Sequence, residues 1–400
     1  MAGTLHHLIP AVLLMVLSTA QDVPGQERLQ RIRSGGPDAD SMTDAVIVSG
    51  GALIWTTQYL PADGSQAPDK QLASCLEQME EDLNANEGSL KLLVRLNIYC
   101  ASPGILSAVR KQIGQHIPAE HAPAISACIT ELPHGAAVAV DAVAASSAEN
   151  LSAVACHQGL AVMPSGSRIF ISGQAEQHED LAEATRRTLQ SLSDTLRFLK
   201  RSDADIVQLK AFVQPMTKSD VVRAEVEKFY GDRGTPPLVQ VAWKSSATTP
   251  VEIELVAWGG PGQDSSAEGL PDSPLSEPEY ITPPGFTQSA VFCRVCRVNS
   301  DAIIFIRGMT GEPREDRAAD EEVRSVFAVL NSILERTGSS LKHLVKATYY
   351  VSSEPVSASL NKLRPGYYDP QRPPTASKAM TEFVDGGQGL MMDMIAVPKK

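Results

Sequence analysis

The sequence predicts an α+β fold of three tandem β-β-α-β-α-β-β units that close on one another as an intramolecular pseudo-trimer. Three observations predict it: an apolar strand with a short polar ending that recurs three times, a matched acidic closing strand after each, and an amphipathic helix behind each opening strand. Internal periodicity of this length decides the architecture.

The opening strands are Leu53 to Gln58 (LIWTTQ), Ile169 to Gln174 (IFISGQ) and Ile303 to Met309 (IIFIRGM). The closing strands are VAVDAVA around Asp141, VEIELVA around Glu254 and LMMDMIA around Asp393. The anchors stand 83 residues apart (58 to 141), 80 (174 to 254) and 84 (309 to 393). Chance does not hold such a spacing three times.

Behind the opening strands lie helical stripes. Leu72, Leu76, Met79 and Leu83 form one, Leu189, Leu192, Leu196 and Leu199 another, and Val323, Val326, Phe327, Leu330, Ile333 and Leu334 a third. Their spacing puts each set on one helix face, and Gly88 and Gly338 supply C-terminal stops in the first and third. A strand follows each helix; SLKLLVRLNIY (89–99) matches SLKHLVKATYY (340–350) closely. A shorter second helix then leads to a Pro-marked strand: HAPAISACI, TPPLVQVAW and RPPTASKAM. Helices on one face of a mixed sheet leave the other face bare, so it must pack on another copy. The units are placed at residues 42–145, 155–258 and 288–398. Residues 21–41 read as a disordered linker, and 259–287, rich in Pro and Gly, as an extended tether.

A net charge of -12 opposes non-specific attraction to nucleic acid or to anionic membrane. The apolar run Leu8 to Leu17 is too short to span a bilayer. With Ser18-Thr19-Ala20 after it, residues 1–20 read as a signal peptide, which implies a secreted or periplasmic protein. The other reading is an over-extended start with translation from Met42, and then a cytoplasmic one. The CxxC of Cys293 and Cys296 lies in an alternating strand with no second pair at metal-ligand spacing, so it reads as buried core thiols. No metal and no cofactor are implied.

Taken together, these motifs resemble the RidA/YjgF (Rid) family, in which subunits of the chorismate-mutase-like fold form homotrimers with ligand clefts between them. The resemblance is strongest in the third unit, where LRPGYYDPQRPPTASKAM and DMIAVP look like a family C-terminus. It is clear in the second (ISGQ, VEIELVA) and faint in the first. It implies a small-molecule ligand, no nucleic-acid or membrane partner once the signal is removed, and a monomer acting as an intramolecular trimer.

Enzymes of that family hydrolyse enamines and imines derived from amino acids. They hold the substrate carboxylate with an arginine after the Pro-Ala of the Pro-marked strand, because a planar cationic fork makes two parallel hydrogen bonds. Here that position is Ile125, Val239 or Ala376. Losing one such donor typically costs about 10²–10³ in rate. The family hydroxyl is kept as Ser172 and as Thr56 but becomes Arg307, and the helix asparagine is kept as Asn361, with Arg110 and Arg223 elsewhere. The family glutamate is kept as Glu252, with Ala139 and Met391 elsewhere, while Phe292 and Cys156 match the pocket tyrosine.

Lys378 follows Ala376 by two residues on one strand face, so Lys378, Arg307 and Asn361 are expected to converge as an anion site in the cleft lined by the third unit; the alternative is that Lys378 and Arg307 are rim or surface charges. Ser172 and an acidic Glu252 are expected in a separate cleft that repels carboxylates, and Phe292 completes the ligand-binding candidates. The reading that follows is a RidA-like binding protein for an anionic metabolite. Its alternatives are an enamine or imine deaminase with an altered site, and a structural or interaction module without a ligand.

Overall fold

A computed structural model of the chain describes residues 25–35, 42–231, 234–244, 249–262, 278–311, 318–382, 384 and 388–399. The signal segment expected over 1–20 lies outside the described residues.

The chain opens with β1 (Leu29–Arg33), β2 (Thr43–Ser49) and β3 (Leu53–Thr56). The first run continues through α1 (Pro68–Ala85), β4 (Leu93–Cys100), α2 (Pro103–His116), β5 (Ala124–Ile129) and β6 (Val138–Ala145). After β7 (Ala155–His157) and β8 (Leu160–Met163) comes a second run, β9 (Ser167–Gln174), α3 (Leu181–Phe198), β10 (Ile206–Val213), α4 (Ser219–Tyr230), β11 (Leu238–Ala242) and β12 (Val251–Gly260). A third follows β13 (Glu279–Ile281) and β14 (Val295–Val298). It comprises β15 (Ala302–Thr310), α5 (Ala319–Arg336), β16 (Leu344–Val351), α6 (Glu354–Leu363), β17 (Thr375–Met380) and β18 (Leu390–Ala396).

Among the described residues the result is an α+β architecture of six α-helices against mixed sheets. The strand orders β5-β4-β6-β3, β11-β10-β12-β9 and β17-β16-β18-β15 are alike. In each, the strand after the first helix pairs parallel on one side and antiparallel on the other.

Three boundaries differ from expectation. Residues 29–33, expected in a disordered linker, form β1 and pair antiparallel with β2. The stretch expected as a tether begins inside β12 and contains β13, which pairs with β14. The third difference is an exchange of strands. β2 lies against β15, β8 against β3 and β14 against β9, so the strand preceding each opening strand completes another run's sheet. Alternation specifies which face of a strand is buried but not whose edge it joins. At the first crossing Gly50 and Gly51 take φ of 67° and 75°. A Cβ on Gly51 would fall 1.0 Å from Arg28 Nη1, and the same guanidinium donates to the Gly50 carbonyl at 3.0 Å.

Each helix pair covers one face of its own sheet, around Leu72, Met79 and Val140, around Leu189, Leu196 and Ile253, and around Val326, Leu330 and Met392. The opposite faces meet in a shared core containing Leu53, Trp55, Phe170, Val256, Phe305 and Ile395. There Trp55 stands 6.5 Å from Phe170 and 6.1 Å from Phe305, one aromatic from each run. Burying each such side chain contributes about 1.5–3 kcal/mol. Cys293 and Cys296 are free thiols buried in this core.

The three closing carboxylates are also buried inside. Asp141 accepts from Asn97 Nδ2 at 2.9 Å and Tyr99 Oη at 2.6 Å. Glu254 accepts from Lys346 Nζ at 2.7 Å, and Asp393 pairs with Arg95. Two of the three are thus neutralised by a cation from another run. Burial alone would raise the Glu254 carboxyl, but Lys346 and Lys210 hold it below the usual carboxylate range.

Candidate functional site

The seam between the second and third runs gathers most of the expected site residues. Its pivot is Ser172, in a bulge where Ile171 and Gln174 of β9 face Leu255 and Ile253 of β12. A bulge re-aims side chains at the end of a pairing. Ser172 is 1% exposed. Its hydroxyl donates to the Cys293 carbonyl at 2.6 Å and accepts the Ala376 N–H at 2.8 Å, while its own N–H donates to the Arg294 carbonyl at 2.9 Å. The residue therefore clamps three segments, with its only hydroxyl proton spent on backbone. Beside it, Glu252 lies over Gly173, where a Cβ would come 2.0 Å from Glu252 Oε1.

Across the seam, Lys378 of β17 donates to Ser357 Oγ at 3.1 Å and Asn361 Oδ1 at 3.4 Å, both on α6. Ala376 and Lys378 are half-buried and alternate with buried Thr375, Ser377 and Ala379. Phe292 and Phe286 flank the Arg294 guanidinium, whose centre lies 5.6 Å and 4.5 Å from the two rings. Arg294 Nε is buried and has no hydrogen-bond partner. The same holds for Arg364 Nε.

Electrostatics tie these groups together. Burial, with the neighbouring Glu254, pushes the Glu252 carboxyl up to about 7, against the pull of Ser377, Arg294 and Lys378. The Lys378 ammonium is lowered by burial and by Arg364, against the opposing Glu354 and Glu252. A carboxyl that titrates near neutrality beside two cations can hold or release a proton for a bound molecule.

Arg307 is not part of this group. It sits in the corresponding bulge of β15, where its Nε donates to Asp44 Oδ1 at 2.7 Å and Nη1 to the Gly308 carbonyl at 3.1 Å. Asp44, brought by β2, is buried and also accepts from Arg336 Nη2. The expected convergence of Arg307 with Lys378 fails because each seam joins the opening strand of one run to the Pro-marked strand of another. One run's two cations are thereby divided between seams. For the same reason Glu252 faces Lys378 instead of standing apart from it. Arg294 escaped the sequence reading because its alternating surroundings (AVFCRVCRV) mark only a strand.

The first and second runs meet differently. Thr57 Oγ1 donates to the Leu238 carbonyl at 2.9 Å and Gln58 Nε2 to the Gln240 carbonyl at 3.0 Å. A cavity of about 740 Å³ opens there, with Tyr59, Asp82, His134, Cys156 and Arg223 among its walls. Of the positions expected for the lost arginine, Val239 is fully buried in an apolar cluster, while Ile125 and Ala376 are half-buried against the first and third helix-covered cores. None offers a charge.

Fold and seam define an α+β protein with inward-facing sheets and a polar, partly cationic junction between runs. No protein-family model matches the chain, and no curated protein matches it. Solved structures resemble parts of it. A YjgF-family member from Neisseria meningitidis is 20% identical over 32% of this chain and 99% of that one, with a TM-score of 0.24. A YjgF-family member from Mycobacterium tuberculosis is 23% identical over 24% and 82%, with a TM-score of 0.22. Yeast Mmf1 is 19% identical over 32% and 98%, with a TM-score of 0.23. Among the described residues no helix is long and apolar enough to cross a membrane.

Proposed function

We propose that this chain is a RidA-like binding protein for a small anionic metabolite, made of three divergent copies of one unit joined as an intramolecular pseudo-trimer. The recurring strand order and the shared core between sheets support the pseudo-trimer. One observation carries the functional reading: Ser172, Glu252, Phe292 and Asn361, the family-like groups kept at distant places in the sequence, meet in one seam with Lys378. Among the described residues they gather at the junction of the second and third runs.

The ligand is expected to be a carboxylate. Glu252 repels it less than an ordinary glutamate would, since its raised pKa leaves it about half protonated near neutrality. Binding without rapid turnover follows from the apolar Ile125, Val239 and Ala376 at the arginine positions. The second reading, slow imine hydrolysis, is favoured by the same near-neutral Glu252 acting as general acid or base. Export of the protein belongs to this proposal too, on the strength of residues 1–20.

Incubation with 2-iminopropanoate generated in situ tests the choice. A rise in melting temperature with ammonia release near background is expected. Turnover within about tenfold of an arginine-bearing RidA under matched conditions would establish the hydrolase instead.

A further inference from the structure

We infer that Arg294 fixes the carboxylate of the ligand in this seam, taking from a neighbouring segment the place of the arginine that the Pro-marked strand lacks. This rests on the anion-binding reading above.

The position of Arg294 is set by its backbone. Its carbonyl accepts the Ser172 N–H at 2.9 Å, and the Ser172 hydroxyl accepts the Ala376 N–H at 2.8 Å. Arg294 and Ala376 thus flank one residue, and Glu252 covers the next, Gly173. The Arg294 charge acts on Glu252, as does that of Lys378 two residues beyond Ala376.

The side chain is suited to the task. The guanidinium centre lies 4.5 Å from the Phe286 ring and 5.6 Å from the Phe292 ring. A guanidinium held beside aromatic rings keeps its fork of donors for a carboxylate. Its Nε is buried with no hydrogen-bond partner.

Lys378 fits the anchoring role less well. Its ammonium is already engaged with Ser357 and Asn361 at 3.1 Å and 3.4 Å, and it is a point charge without a fork. Lys378 adds field, while Arg294 adds direction. The ligand class follows: a small monocarboxylate with a short apolar tail that lies against Phe292.

Titration calorimetry on the full chain with propanoate and propanamide tests this. The wild type should prefer propanoate. Arg294→Gln should weaken propanoate about ten- to a hundredfold and leave propanamide unchanged, and Arg294→Lys should fall between. Unchanged propanoate affinity in Arg294→Gln overturns the inference. So does Arg294→Lys equal to wild type, the deciding variant should Arg294→Gln not fold. If Lys378→Ala alone abolishes binding, the anchor is Lys378 and only the anion-binding reading survives. A wild type that does not distinguish acid from amide sinks both.

Discussion

Replacing Lys346 with Met probes whether buried charge holds the three runs together as a matched set. Lys346 is 8% exposed. Its ammonium lies 2.7 Å from Glu254 Oε1 of another run and 2.9 Å from Thr348 Oγ1. Burial brings its pKa down to about 8 against the pull of Glu254, so the pair is desolvated and closely coupled. Removing one partner of such a pair costs about 3–5 kcal/mol, because the other charge stays buried. Lys210 sits directly opposite Glu254 in the β10–β12 register and relieves part of that charge. The expected loss is therefore near the low end, about 3 kcal/mol. Adding Glu254→Gln removes the orphaned charge and should restore at least half of the loss. Urea unfolding of wild type, both single variants and the double variant near neutral pH completes the cycle. A Lys346→Met loss under about 1 kcal/mol, or a double variant no better than that single, would refute the reasoning.

Two further outcomes concern the seam. The folded Glu252 carboxyl titrates near 7, above its unfolded value, so its contribution to stability is full at acid pH and is lost as pH rises through about 7. Glu252→Gln should therefore gain in melting temperature relative to wild type as pH climbs from the ordinary carboxylate range to neutrality, and a pH-independent difference would count against the burial argument. Gly173→Ala places a Cβ 2.0 Å from Glu252 Oε1 and must displace that carboxyl. It should cost about 1–3 kcal/mol and abolish the Glu252-dependent pH effect in the same melting series, whereas full retention of that effect would show the carboxyl lies elsewhere.

Part of the candidate site was legible in the sequence. Lys378 stands out by its place two residues beyond Ala376 on one strand face, while Asn361, Ser172, Glu252 and Phe292 stand out only as positions that the family resemblance implies. Their grouping was legible only for Lys378 and Asn361, which meet at 3.4 Å. Arg307 and Lys378 were assigned to one cleft, yet Arg307 is bound to Asp44, 263 positions earlier in the chain. Arg294 carried no local mark, since its character comes from Phe286, Phe292 and the bulge at Ser172. Ser172 itself was read as a ligand contact, and its hydroxyl instead joins Cys293 to Ala376.

The helices α1, α3 and α5 follow from local physics: apolar residues at helical spacing lie on one face whatever lies opposite, so the stripes of Leu72, Leu189 and Val326 could be read directly. Strand faces follow equally from alternation. Neither property names a partner. An antiparallel edge accepts any strand whose inward residues match, which is why β2, β8 and β14 can cross to other sheets with no trace in their own sequences. The pairing of Arg95 with Asp393 and of Lys346 with Glu254 depends on the same meeting of distant edges. So does the choice of one seam over the other two, because electrostatic coupling exists only between groups that the fold has brought within a few ångströms.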